Sequence, residues 1–456
     1  MEHGCIRGAG DRSGNRERVG RRISRIVAAV GLAAGLLALA GPPHGPAGAG
    51  SGRPRQVEPI DDLVHLNEIQ VVGSHNSYHL VPPQAEVDLR TSFIGAGDLL
   101  MQYQHAPLPV QFTEQKVRQI ELDVFVDRAG GRYATPLLRV ATGGPALDPV
   151  MSQPGLKVFH IQDVDYASTC LTLRECLRAV KGWSDANPSH VPLAILLELK
   201  DSPLVVGSIP FVVPEPWDGA AMDELDADIR SVFGPEQIIE PDDVRGSHAT
   251  LEAAVLADGW PTLGESRGQV MFLMDNGGGY RDRYLAGHPS LAGRILFTNS
   301  RPGQDDAAFV KMNEATEGDA IRELVAAGYV VRTRADADTT QARNNDTTLR
   351  DLALASGAQW VSTDYPAPGV AFGFVTDYVV EIPGGTVARC NPVNAPPGCR
   401  DDLLEDLAVP PVPPDPPVAP TDPLPGPSID PPPDPGGPVG EARGAVALPG
   451  RANYTG

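Results

Sequence analysis

Aromatic side chains are scarce in this chain: Phe, Trp and Tyr make up 5% of its 456 residues, and no obvious amphipathic helix marks a way of docking on a membrane. No segment therefore announces itself as a membrane-docking element. Positive charge is short as well. With 37 Lys and Arg against 58 Asp and Glu the formal charge is −21, which argues against the basic surface that a nucleic-acid partner demands. The one notable apolar run, Ile26 to Ala40, has about the length of a signal-peptide core and is too short to span a bilayer comfortably. Cysteine is limited to five residues, and no internal repeat is visible.

What is present at the ends points to export. Arg21, Arg22 and Arg25 precede the apolar run, and small residues follow at Ala40 and Ala49, so residues 1–49 read as a signal peptide. Arg21-Arg22 also fits a twin-arginine signal, although basic leaders contain such pairs by chance. Removing 1–49 leaves 30 Lys and Arg against 55 acids, a charge of −25, so attraction to anionic lipid is not the main binding term. Cys5 leaves with that segment. The remaining Cys170, Cys176, Cys390 and Cys399 are even in number, and in an exported chain the local pairs Cys170 with Cys176 and Cys390 with Cys399 read as disulfides. A zinc site fits worse, because neither gap is the short one zinc ligands favour and no histidine pair accompanies them. Roughly half the residues from Pro410 to Pro438 are Pro, so 406–456 read as an extended, disordered tail.

Between the ends, strand and helix patterns alternate. Candidate strands are 69–74, 119–126, 157–162, 193–199, 270–275, 294–298, 329–333 and 359–363, with the clearest helices at 171–184, 314–327 and 347–356. Eight strands is the count a closed barrel needs, so the expectation is an α/β fold, a (β/α)8 TIM barrel formed by a single domain over 60–405. The segment 203–268, with Pro210, Pro214, Pro216 and Trp217, reads as a lid or as a plain insertion.

Four of these runs close on chemistry: Gly73-Ser74-His75-Asn76, Glu121-Leu122-Asp123, Phe159-His160 and Glu198-Leu199-Lys200. In a parallel barrel the carboxyl ends of the strands converge on one face. Glu121 and Asp123 are spaced i, i+2, so both carboxylates share a face of their strand, and an inward pair of like charges is costly without a cation. Asn76, Glu121, Asp123 and Glu198 make an all-oxygen set suited to calcium or magnesium. His75 and His160 are then the acid–base pair for a bound phosphodiester, since imidazole titrates near working pH. Lys200 reads equally as a partner of Glu198 or as a contact to substrate phosphate. Arg332, Arg334, Asp336 and Asp338 read as an ion-pair layer supporting the barrel, and Asp275-Asn276 as a turn. His65, His79, His105, His190, His248 and His288 read as structural, with lining of the mouth a minority option for His79.

These stretches, together with Arg332-Thr333-Arg334-Ala335-Asp336-Ala337-Asp338, Val361-Ser362-Thr363-Asp364-Tyr365-Pro366 and Cys390-Asn391-Pro392, resemble the calcium-dependent phosphoinositide-specific phospholipase C family, in its secreted bacterial branch, over about residues 65–400. The resemblance implies a PLC-like phosphodiesterase TIM barrel, with His75 and His160 catalytic and Asn76, Glu121, Asp123 and Glu198 binding Ca2+. It further implies a secreted monomer acting on a phosphoinositide lipid, with peripheral membrane contact and no nucleic acid. Metal-independent bacterial phospholipases C place an arginine two residues after the strand-two aspartate. Here that position is Phe125, so metal dependence follows. Glycerophosphodiester phosphodiesterases share Glu-x-Asp, a later His and Glu-x-Lys, but typically have His-Arg where this chain has His75-Asn76. A catalytically silent binding module is the third reading; mutually repelling carboxylates argue against it.

Overall fold

A computed structural model describes residues 59–257 and 259–405; the expected leader at 1–49 and tail at 406–456 lie outside them. Eight strands build the centre: β1 Ile69–Ser74, β2 Gln119–Phe125, β3 Leu193–Lys200, β4 Val270–Met274, β5 Leu296–Thr298, β6 Phe309–Lys311, β7 Val330–Arg334 and β8 Trp360–Thr363. Each pairs in parallel with the next, and β8 pairs back onto β1. Between β5 and β6 the link is one parallel bridge, Asn299 to Phe309. The ring of pairings closes, as the expected α/β barrel requires.

The closure depends on one glycine. A Cβ on Gly73 would lie 1.9 Å from Oε1 of Gln119, the residue paired with it across β1 and β2. Only a residue without a side chain lets Gln119 fold in there, where its Oε1 accepts a 2.7 Å hydrogen bond from Ser362 of β8. Lower down, β1 is covered by the antiparallel strand Ala388–Cys390. Cys390 is bonded to Cys399, and Cys170 to Cys176, both as expected.

Strand alternation sorts the residues. Ile120, Leu122 and Val124 of β2 and Ile195, Leu197 and Leu199 of β3 belong to the main apolar core, each fully buried aliphatic side chain contributing about 1.5–3 kcal/mol. The helix Leu173–Ala186 adds Leu173, Cys176, Leu177 and Val180 to the same core, the spacing of one helical face. Its start is set by Thr172, whose side chain accepts from the Glu175 amide in a capping box. The alternate residues of β2, namely Gln119, Glu121 and Asp123, are buried polar groups on the opposite face.

Two strand expectations need correction. The segment 157–162 is not a barrel strand: only Lys157–Val158 is extended, and it pairs antiparallel with Val124 and Phe125 of β2. The chain then folds back sharply, Ile161 bridging to Asp165 around Asp163, whose φ is 68°. His160 therefore sits on a turn rather than at a strand end. The missing eighth member is β6, three residues long like β5. The stretch 203–268 carries the helices Gly219–Arg230, Pro241–Arg245, Leu251–Ala257 and Leu263–Ser266, and its Ile238–Ile239 pairs with β4. Among the described residues no helix is long and apolar enough to cross a membrane.

Candidate active site

Register brings the acids together. β2 and β3 pair Asp123 with Glu198 and Phe125 with Lys200. One carboxylate oxygen each from Glu121, Asp123 and Glu198 lies within 4.8 Å of the others. Lys200 Nζ sits 3.1 Å from Asp123 Oδ2 and 3.1 Å from Glu198 Oε2. Glu121 Oε2 accepts from Arg332 of β7 at 2.5 Å, so Arg332 does form a supporting ion pair, made directly with the cluster.

The cluster is electrostatically incomplete. Glu121 Oε1 and Asp123 Oδ1 are buried without a hydrogen-bond donor among the described residues, and Glu198 Oε2 has the Lys200 ammonium as its partner. Burial pushes Glu121 up to about 7 despite Arg332, and burial pushes Asp123 well above the ordinary carboxylate range despite Lys200. For Glu198, burial acts upward too, but Lys200 outweighs it and the net direction is down. The difference follows the neighbouring charges: Lys311 and His160 add to the pull of Lys200 on Glu198, whereas Glu198 and Glu121 add to the upward push on Asp123. Buried oxygens that lack donors and resist ionisation fit a hard cation, which supplies the missing charge and accepts oxygen ligands.

The turn after β1 supplies the rest. Asn76 has φ 45°, a left-handed conformation asparagine tolerates. Its Nδ2 donates to the Tyr103 hydroxyl at 2.9 Å, leaving Oδ1 as an acceptor with the Tyr78 hydroxyl 3.4 Å away. His75 Nδ1 is 2.7 Å from Asp364 Oδ1, just beyond β8, and His75 Nε2 is 4.0 Å from Glu121 Oε1. Burial, reinforced by Arg334 and Arg332, holds the His75 imidazole well below its ordinary pKa. A neutral ring with Nδ1 tied and Nε2 facing the acids is placed to take a proton.

His160 belongs to a neighbouring cluster. Its Nδ1 is 2.7 Å from Asp165 Oδ2, and the same oxygen is 2.8 Å from His79 Nε2. Burial lowers the His160 pKa, against the pull of Asp165. The Lys200 charge also lowers it, and His160 in turn acts on His75, which links the two clusters. His79 is fully buried behind His160 rather than lining the mouth. His105 is structural, its Nε2 bonding the His75 carbonyl oxygen at 2.9 Å. Asp275 pairs with Lys311 at 2.5 Å, while the Asn276 side chain bonds both backbone groups of Leu199.

The residues that sequence reasoning passed over are Asp364, Asp165 and Arg90. Asp364 directly follows a strand end, which is a usable signal; Asp165 lies only five residues past His160 but beyond a turn the sequence reading took for strand, and Arg90, 75 residues from Asp165, carries no signal.

The sequence model of the family described as "Phosphoinositide phospholipase C, Ca2+-dependent" matches residues 64–392. No curated protein matches the chain. Among solved structures, the apo calcium-dependent phosphoinositol-specific phospholipase C of the Gram-negative bacterium Pseudomonas sp. is 16% identical, with a TM-score of 0.44 over 70% of this chain and 96% of that one. The Ca2+-dependent phosphatidylinositol-specific phospholipase C of Streptomyces antibioticus is 17% identical, with a TM-score of 0.43 over 66% and 95%. A putative glycerophosphoryl diester phosphodiesterase from Silicibacter pomeroyi DSS-3 is 13% identical, with a TM-score of 0.27 over 66% and 91%. The family match spans well over half of the chain and includes every acid and histidine of the two clusters. On that ground the chain belongs to the Ca2+-dependent phosphoinositide phospholipase C family and is a phosphoric diester hydrolase.

Proposed function

We propose that the protein is an exported phosphodiesterase that cleaves phosphatidylinositol-type lipids between diacylglycerol and phosphate. The inositol 2-hydroxyl attacks phosphorus, its proton passing to a base, while the bond to the diacylglycerol oxygen breaks and that oxygen takes a proton from an acid. The products are diacylglycerol and an inositol cyclic phosphate, which water can open afterward. His75 and His160 divide the base and acid roles. The observation that carries this reading is the set of three converging carboxylates, of which Glu121 and Asp123 keep buried oxygens without donors among the described residues, with the Nε2 of His75 beside them.

Glu121, Asp123, Glu198 and the Oδ1 of Asn76 would hold Ca2+. When bound, the ion supplies positive charge against the non-bridging oxygens of the ester. Lys200 contacts the phosphate from the same side, and Arg332 keeps Glu121 aimed inward. Export draws support from two disulfides and from the basic and apolar leader at 1–49. Contact with the lipid surface is peripheral, and the chain acts as a monomer.

The test is phosphatidylinositol turnover by wild type, His75→Ala and His160→Ala, each with calcium and with chelator. A single acid or base supplies about 10²–10⁴-fold, so each variant is expected to lose rate in that range and chelation to silence the wild type. Wild-type turnover in either variant removes that histidine from the mechanism. Release of glycerol phosphate in place of inositol phosphates would transfer the chain to the glycerophosphodiester reading.

A further inference from the structure

Asp165 is fully buried and carries more donors than any ordinary surface carboxylate. Its Oδ1 accepts from Arg90 Nη1 at 2.5 Å. Its Oδ2 faces His79 Nε2 at 2.8 Å and His160 Nδ1 at 2.7 Å. Arg90 is itself fixed, donating from Nε to Asp98 at 2.5 Å and from Nη1 to the Val164 carbonyl at 3.1 Å. The other nitrogen of His79, Nδ1, lies 2.9 Å from the Tyr103 carbonyl oxygen, and its ring stacks on Tyr103 with centroids 4.6 Å apart.

Hydrogen-bond chemistry decides who donates. A carbonyl oxygen and an ionised carboxylate are acceptors only, so both nitrogens of His79 donate. His160 Nδ1 must then donate to the same oxygen, which leaves the lone pair on Nε2. The donor atoms of His79, His160 and Asp165 are also close enough to hold a metal ion. A guanidinium bonded to the carboxylate at 2.5 Å is a poor neighbour for one, so the cluster reads as a hydrogen-bonded mount.

We propose that Asp165, braced by Arg90 and His79, is the positioning residue for His160: it fixes the Nδ1–H tautomer and aims Nε2 at the ester. Asp165 does not touch substrate. It acts through the ring it holds, as a buried carboxylate does wherever it orients a catalytic imidazole. This rests on the catalytic role proposed for His160. His79 and Arg90 contribute by keeping Asp165 ionised and immobile, so that rotation of the His160 ring breaks a bond the surroundings cannot remake.

The test uses the full chain with ¹⁵N-labelled histidine, in wild type, Asp165→Asn and Asp165→Glu. In the wild type, ring ¹⁵N spectra are expected to show His160 protonated on Nδ1 and bare on Nε2. In Asp165→Asn, with folding verified by circular dichroism, the His160 tautomer preference is lost. Its kcat falls by about 10²–10⁴-fold, as when the orienting carboxylate of a catalytic histidine is amidated, while KM changes less than about threefold. Asp165→Glu restores part of the rate. A wild-type His160 bare on Nδ1, or Asp165→Asn with unaltered kcat, overturns the proposal. The spectra answer it separately from turnover: a chain inactive on phosphatidylinositol with the expected tautomers refutes the proposed function and leaves the mount standing.

Discussion

The two buried carboxylate clusters differ in how well their oxygens are served. Asp165 meets three donors on its two oxygens, and His79, Arg90 and His160 hold its pKa well below the ordinary value against the upward push of burial. Glu121 and Asp123, equally buried, keep oxygens without any donor among the described residues, and burial drives both upward. Burial is common to both clusters; the supply of partners is not. An acid saturated by the protein's own donors is part of the framework, whereas acids left hungry by their own chain are set for something the chain does not encode.

Asp→Asn substitution is expected to act with opposite signs at the two places. At Asp165 it breaks a buried network and leaves Arg90 without its main charge partner, a loss of about 3–5 kcal/mol. At Asp123, in calcium-free buffer, it replaces a buried carboxyl whose ionisation burial opposes by a neutral amide, while Lys200 keeps Glu198 as a partner, and stability is expected to rise. Urea unfolding of both variants with chelator present checks this, and the same sign at both sites would erase the distinction.

The pH dependence separates the clusters again. Glu121 is raised from 4.5 to about 7, so the calcium-free fold binds its proton more tightly than the unfolded chain does. The stability this gives is complete below about pH 4.5 and is lost as pH rises through 7, up to about 3 kcal/mol for this group. Asp165 runs the other way: its contribution is present above pH 3.8 and fades only as pH falls through its lowered value. Unfolding midpoints at pH 5 and pH 8 are expected to differ with chelator and to converge with calcium. Equal midpoints under chelator would mean that Glu121 has partners the structure does not show.

A smaller effect is expected at Lys200. Its ammonium stands 3.1 Å from two of the acids, so it competes with any cation there. Lys200→Met should tighten calcium binding by up to about tenfold, about 1.4 kcal/mol, while raising KM for phosphatidylinositol. Tighter calcium binding with unchanged KM would leave Lys200 as a counter-ion alone.

How much of this was legible in the sequence depended on locality. Glu121, Asp123 and Glu198 could be read because i, i+2 spacing on an apolar run dictates a shared face before any fold is known. The seven longer segments of alternating or continuous apolar residues likewise marked their strands. β6 escaped although β5, equally short, was read from the longer apolar run around it, and 157–162 misled because an apolar run bounded by Gly and Gln-Asp looks the same whether it continues the barrel or turns back at Asp163. The mount around His160 was out of reach for another reason. Arg90 and Asp165 are 75 residues apart in sequence, and neither stands in a pattern that predicts the other.

Calorimetric titration of Ca2+ into the wild type and Asp123→Asn tests the central claim most directly. The account predicts saturable binding of one ion per chain in the wild type and its loss in the variant. Absence of saturable binding in the wild type, or undiminished binding in Asp123→Asn, would contradict it.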